Sequence, residues 1–379
     1  MPPPTPLFFE SVGNLKSALL KALDRTPSSG VATDVTTCLE QGRLFFNAAS
    51  LAPLEIRPLL LLYGIIPYSR ALVCGRRLAS LSTLSQAHGI TDTSTFDARL
   101  SQLKIKIGGG GSFQEFSDTV RGLDFIDYYG SRTEPLRIFT ETDESSKLKD
   151  STVGFDEIFS RLYNLHELYT ATFEQSSQCT DCSIYIEDES AARISVVIKD
   201  YAEISFDGLV QLVTFIKSDH KFLDDWVFCN ASCNYGSISL DFYNLDVDKT
   251  DELALAKFDQ NGSGFTRKKY AAETRKPLVK MPPICGALST GGIGFAKPLN
   301  GVILSQQALT YMAAFVLGSL VRYRPQTWIH ALRSKSTPER PEDDRAIALI
   351  EQFLNDTLET FPNMIMTALT VRKPDVAER

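Results

Sequence analysis

Arg324 and His330 are separated by Pro325, Gln326, Thr327, Trp328 and Ile329, and this pair has the residue types for phosphodiester chemistry without metal. An arginine holds a phosphate through paired, charged hydrogen bonds. A histidine titrating near neutrality moves protons to or from a ribose 2′-hydroxyl or a leaving oxygen. Arg322, Arg333 and Lys335 add positive charge, and no acid follows Arg322 until Glu339. In one regular helix, positions six apart lie about 120° from each other, so the two groups share a site only if Arg324 precedes the helix. Pro325 at the first helical position permits that. The competing reading is structural: Arg322 and Arg324 pair with carboxylates or helix-end carbonyls, Trp328 packs, and His330 sits on the surface.

A second stretch free of acids runs from Ile56 to Thr91 and carries Arg57, Arg70, Arg76, Arg77 and His88. If the two ends of the chain pack together, Arg70, Arg76, Arg77 and His88 approach Arg322 and Arg324 as one phosphate-binding site. Otherwise the arginines line the wet face of a helix and His88 sits near a helix C-terminus. His166 falls on an apolar helical stripe and reads as a core residue, and His220 reads as a loop residue. Cys179 with Cys182 and Cys229 with Cys233 supply four thiolates for zinc only if hairpins bring the pairs together; free thiols are the favoured reading and no metal site is expected. Asp259, Asn261, Ser263 and Gly264 open like a calcium loop, but Tyr270 stands where the bidentate carboxylate belongs. Gly291, Gly292 and Gly294 lack the dinucleotide spacing, and no phosphate-loop lysine follows a glycine cluster. No cofactor is expected.

The elements that must position these groups are helical at both ends. Leu15, Leu19, Leu20 and Leu23 form one stripe, Leu39 to Ala49 a second, and a long apolar segment starts at Pro58 and bends at Pro67. His88 and Gly89 mark its end or the turn beyond. Between Lys104 and Asn300 the pattern is mixed: Ser183 to Ile186, Ile194 to Ile198 and Ser237 to Phe242 alternate as strands, and Gly108 to Gly111 read as a flexible turn. Phe155, Ile158, Phe159, Leu162, Leu165 and Tyr169 predict one central helix, preceded by an exposed loop from Asp143 to Asp150. After Leu304 the helices return: one to Tyr323, a short one from Pro325, and a third behind Glu342, Asp343 and Asp344 that stops near Pro362. The fold class is therefore α+β, with a helical body made by residues 1–105 and 301–379 and a mixed α/β insertion at 106–300.

The chain has 379 residues, 43% hydrophobic and 22% charged, enough for a large core. Its net charge of −7 argues against broad nucleic-acid binding and leaves only a local basic patch for RNA. Seven cysteines make no disulfide framework, and the start Met1, Pro2, Pro3, Pro4 does not read as a signal segment, so a cytoplasmic location is expected. The apolar runs Leu59 to Ile66 and Ala308 to Val321 are short for a bilayer, so no membrane association is expected.

Pro58 to Gly64, Ala71 and Leu72, His88 and Gly89, Val321 to Pro325 and Trp328, with Phe155 to Tyr169, resemble the YaaC-like family of bacterial proteins. That resemblance implies a soluble intracellular protein and supplies no reaction. The arginine and histidine spacing at Arg324 and His330 resembles that of HEPN ribonucleases, which implies metal-independent RNA cleavage, a homodimer with facing motifs, and a defence or toxin context. Two functions are carried forward. The first is an intracellular interaction or regulatory protein whose insertion recognises a protein partner. The second is a HEPN-like endoribonuclease using Arg324 and His330.

Overall fold

A computed structural model describes residues 6–128, 136–140, 142–188, 191–199, 205–234, 236–245, 257–258, 264–266, 284–286, 292–333 and 343–372. In chain order the α-helices are α1 (Pro6–Phe9), α2 (Val12–Leu23), α3 (Ser29–Leu51), α4 (Arg57–Arg77), α5 (Ser112–Val120), α6 (Phe155–Phe159), α7 (His166–Phe173), α8 (Phe206–Asp219), α9 (Gln306–Tyr323), α10 (Pro325–Arg333) and α11 (Asp343–Thr370). The strands are β1 (Ile90–Asp92), β2 (Lys104–Ile107), β3 (Phe125–Tyr128), β4 (Leu136–Phe139), β5 (Thr152–Gly154), β6 (Cys179–Asp188), β7 (Ala191–Lys199), β8 (Val227–Asn234), β9 (Ser237–Tyr243), β10 (Lys257–Phe258), β11 (Gly264–Thr266), β12 (Cys285–Gly286) and β13 (Ile293–Ala296). The fold is α+β, as the periodicities predict.

The chain divides into a helical unit, residues 1–124, 142–177 and 299–379, and a sheet unit, residues 125–141 and 178–298. Residues 106–124 and 142–177 therefore belong with the helical body and not with the insertion. In the helical unit α4 is central and packs against α3, α5, α9 and α11. Its apolar residues are spread around the cylinder, and Leu61, Ile65, Ala71, Leu72 and Cys74 have no accessible surface. Such a helix must be covered on all sides, which is why both ends of the chain are needed to complete the core. Gly318 of α9 lets the two backbones approach: a Cβ there would lie 2.5 Å from Leu62 Cδ2. By length and composition α4 could also cross a bilayer, yet its apolar window is mostly buried within the unit. The three-stranded sheet β1-β2-β5 flanks the helices.

Three local readings are corrected. The central helix is broken into α6, a 3₁₀ turn (Tyr163–Leu165) and α7. At the break the Gln306 side chain accepts from Tyr163 N (2.9 Å) and donates to Arg161 O (2.8 Å), replacing the helical ladder with tertiary bonds. The segment from Asp143 to Asp150 carries a 3₁₀ turn with Ser145 and Leu148 fully buried, and Asp143 accepts from Ile303 N. Finally, α11 runs through Pro362 to Thr370. A mid-helix proline costs about 3 kcal/mol, and burial of Phe361, Ile365 and Leu369 on either side offsets a loss of that size.

The sheet unit is built on an antiparallel sheet of order β10-β11-β8-β9-β7-β6-β13-β12, with the β3-β4 hairpin as a separate pair. Ile194, Val196, Ile238, Leu240 and Phe242 alternate onto one face and meet Leu209, Val213 and Ile216 of α8.

Candidate functional site

Arg324 is the C-cap of α9, and its backbone turns the chain into α10. Its side chain is 9% exposed and forms an ion pair with Asp92 at the end of β1, itself 12% exposed. Nε donates to Thr95 O (3.0 Å) and Nη2 to Ser94 O (2.6 Å), while Nη1 donates to Asp92. All three nitrogens are committed inward, the geometry of an anchor and not of a phosphate clamp. Trp328 completes the joint: it is buried, its N–H bonds Arg324 O (3.1 Å), and Nε1 donates to Glu55 O (2.9 Å). His330 is exposed on α10, where Pro325, Gln326, Ile329, His330 and Arg333 line an open hollow of about 500 Å³. The expectation that Arg324 and His330 act on one phosphate is thus not met by the arginine, because the carboxylate of Asp92 holds it. Lys335 lies outside the described residues.

The second basic stretch divides. Arg76 Nη1 donates to Val371 O (2.8 Å) just beyond α11, and Arg77 Nη2 donates to Glu115 O (3.1 Å), so both hold backbone carbonyls. Arg70 of α4 and Arg322 of α9 instead carry charges that act on His88, in the segment before β1. The backbone around His88 is fixed by α5: Ser112 N donates to Ala87 O (2.9 Å), Phe113 N to His88 O (3.0 Å) and Gly108 N to Gly89 O (2.8 Å). Gln114 Nε2 bridges Gly89 O and Gly108 O at 3.0 Å each. Gly89 (φ 75°) and Gly111 (φ 145°) permit this close crossing, and a Cβ on Gly111 would lie 2.3 Å from Gly89 N. The glycine turn is therefore a packed joint, and the carbonyls of residues 87 and 88 occupy the N–H groups of the first α5 turn.

With its backbone clamped, His88 rests one flank of its ring on Phe315 of α9 (centroids 5.7 Å apart). Phe315 and Arg322 are seven residues apart, on one face of α9. Arg70 approaches from α4. Partial burial pushes the His88 imidazole below its usual pKa, and the positive charges of Arg70 and Arg322 push it the same way. Arg70 is half-buried, its Nε is buried with no hydrogen-bond acceptor, and no ion pair joins it to any described carboxylate. Arg322 is exposed, lies over the Tyr323 ring (5.0 Å), and likewise pairs with no described carboxylate. Of the five residues expected to bind phosphate, Arg76 and Arg77 hold backbone carbonyls, while Arg70 and Arg322 act electrostatically on His88.

The remaining candidates are structural. His166 Nδ1 meets Tyr163 O at 2.7 Å and its ring stacks on Tyr163, in keeping with a core role. His220 is the single linking residue between α8 and a 3₁₀ turn, as expected of a loop residue, but it is buried: its Nε2 bonds Thr180 Oγ1 (3.1 Å), and it packs on Phe295. Burial is the main cause holding its pKa at about 4. The two cysteine pairs cannot share a metal. Cys182 sits in a row with Val196, Leu240 and Ala231 across β6, β7, β9 and β8, so two strands and about 14 Å separate the pairs. A β-bulge at Cys229 also turns that thiol to the face away from Cys233. Among the described residues no cluster of metal-ligating side chains occurs. Most of the calcium-like loop, Asn261 and Gly291 lie outside the described residues. Sequence reasoning missed Asp92, 232 positions from its arginine, and Phe315, whose buried place on a mostly apolar helix gives no sign that His88 packs on it.

Fold and site together define an α+β protein whose helical unit is built on an all-round apolar central helix. The chain belongs to the YaaC-like family, whose family model matches residues 14–369, nearly its whole length. No curated protein and no solved structure matches it.

Proposed function

We propose that this YaaC-like protein acts by recognition, as an intracellular regulatory or interaction protein whose helical unit receives an anionic group of its partner at Arg70, His88 and Arg322. The observation that carries this reading is Arg70. Its guanidinium is half-buried, its Nε has no acceptor, and the charged groups acting with it on His88 are of its own sign. Holding a desolvated cation beside like charges is costly, and an anion supplies both the missing acceptors and the opposite charge. Seven free thiols support a reducing, cytoplasmic setting.

The binding reading is favoured over ribonuclease action because Arg324 is committed to Asp92. His330 and Arg333 beside an open hollow are what remains in support of RNA cleavage. Calorimetric titration with inorganic phosphate tests the first reading: the wild type binds, and Arg70→Gln or Arg322→Gln weakens binding about tenfold or more. Equal affinity in all three proteins, or none in the wild type, overturns it. Incubation with mixed RNA in chelator tests the second, which requires cleavage that His330→Ala abolishes.

A further inference from the structure

We propose that the exposed face of α10, together with Tyr323 and the turn that carries Phe96, is a docking surface for an acidic peptide segment of a partner protein, one that also contributes a large apolar side chain. The surface is defined without Arg70 and His88, so it goes beyond the anion site above and is tested apart from it.

The turn comes first. Asp92 Oδ1 accepts from Ser94 N (2.9 Å) and Ser94 Oγ (2.7 Å), and Ala98 N donates to Thr95 O (3.2 Å), closing a turn with Phe96 at its tip. Arg324 grips that turn from the end of α9, through Nε to Thr95 O (3.0 Å) and Nη2 to Ser94 O (2.6 Å). Phe96 is nevertheless 78% exposed, while Ala98 behind it is buried. A ring whose backbone is already fixed loses little further freedom when a partner covers it.

A single exposed ring needs no explanation, but this one does not stand alone. Tyr323, 55% exposed, and Pro325 are the chain neighbours of the same arginine. Pro325, Ile329 and Arg333 recur at every fourth position of α10 and line the open hollow of about 500 Å³ with Gln326 and His330. The opposite face of α10 is buried through Trp328 and Ala331, so the helix cannot turn this stripe inward. Two exposed rings and an apolar-sided hollow are therefore grouped around one buried ion pair.

Charge names the partner. Arg333 at the hollow and Arg322 over the Tyr323 ring (5.0 Å) pair with no described carboxylate, and His330 lines the same hollow. Asp97 follows Phe96 on the turn, so basic character gathers at the α10 end and an apolar side chain belongs at the turn end. The complementary peptide sets its acids against the α10 end and its large side chain against Phe96 and Tyr323. Single-stranded nucleic acid also uses rings and cations, but it brings a charge with every nucleotide onto a chain of net charge −7, whereas a short peptide brings only the acids the surface can meet.

Fluorescence anisotropy follows a labelled peptide of about twelve residues, glutamates flanking two central phenylalanines, as the full chain is added. Binding is expected at about 1–100 μM, weakening as salt rises from about 0.05 to 0.5 M. An all-glutamate twin binds about tenfold more weakly. Phe96→Ser and Arg333→Gln, both at exposed positions, each lose about fivefold or more at an unchanged melting temperature. No binding at about 0.5 mM, equal affinity for the two peptides, or variants that bind like the wild type overturn the proposal. So does tighter binding of an oligouridylate that the same variants weaken, which assigns the face to nucleic acid. A dimer in sedimentation that Phe96→Ser dissociates assigns it to a second copy of this chain and likewise overturns the proposal.

Discussion

Removing the Arg324 guanidinium separates an anchoring role from a catalytic one. Arg324 and Asp92 are 9% and 12% exposed, and the arginine also satisfies the carbonyls of Ser94 and Thr95. Arg324→Ala leaves the Asp92 carboxylate buried without its partner and frees two carbonyls. Breaking one side of a buried pair costs about 3–5 kcal/mol. For a unit of this size that lowers the melting temperature by roughly 6–20 °C. Asp92→Asn keeps the shape and removes the charge, so it costs about as much or somewhat less. The double variant Asp92→Asn, Arg324→Ala is then less damaging than the two single effects added, with a coupling of about 1–3 kcal/mol. Thermal melts followed by tryptophan fluorescence read the effect directly, because the Trp328 N–H bonds Arg324 O. An Arg324→Ala protein that melts with the wild type refutes the anchor, and additive single variants refute the pairing.

Other outcomes follow from the same geometry. Gly111→Ala places a methyl 2.3 Å from Gly89 N, against backbone that cannot yield, and yields little folded protein in a soluble-expression assay. The sheet unit loses stability in acid because His220 is held at about 4 when folded and titrates near 6.5 when unfolded. That stability is fully present above about pH 6.5 and is lost as the pH falls toward 4, by up to about 3 kcal/mol. His220→Gln flattens the profile when Trp226 fluorescence is followed in a Trp328→Phe background. Chelator treatment leaves the melting temperature unchanged, since the cysteine pairs lie two strands apart; a drop of several degrees would restore the zinc reading.

Strong local periodicity was readable in the sequence. The alternation at Ile194 to Ile198 and Ser237 to Phe242 sits in β7 and β9, and the apolar run from Pro58 becomes the central helix. The closing of the N-terminal and C-terminal helices on one another also follows, because α4 is apolar all round. What escaped were decisions made by partners distant in sequence. Phe155 to Tyr169 has a helical stripe, yet Gln306, about 140 positions on, breaks it with two side-chain bonds. Arg324 looked available because its acid, Asp92, lies in a three-residue strand at the other end of the chain. The basic residues stand out as a group, but spacing could not tell Arg76, pinned to Val371 O, from Arg70, six residues earlier, whose buried Nε has no acceptor.

The central position of α4 has a consequence for synthesis. Only α2, α3 and α5 can reach it early; α9 and α11 are encoded more than 220 residues downstream of its end. At ordinary translation speeds a ribosome spends roughly 10–50 s making the intervening chain, during which a bilayer-grade apolar helix is roofed on one side only. That open face is therefore the surface of the nascent chain most prone to aggregate until the last quarter emerges. Deletion of α11 turns that passing exposure into a permanent one, with capture or degradation of the chain as its result.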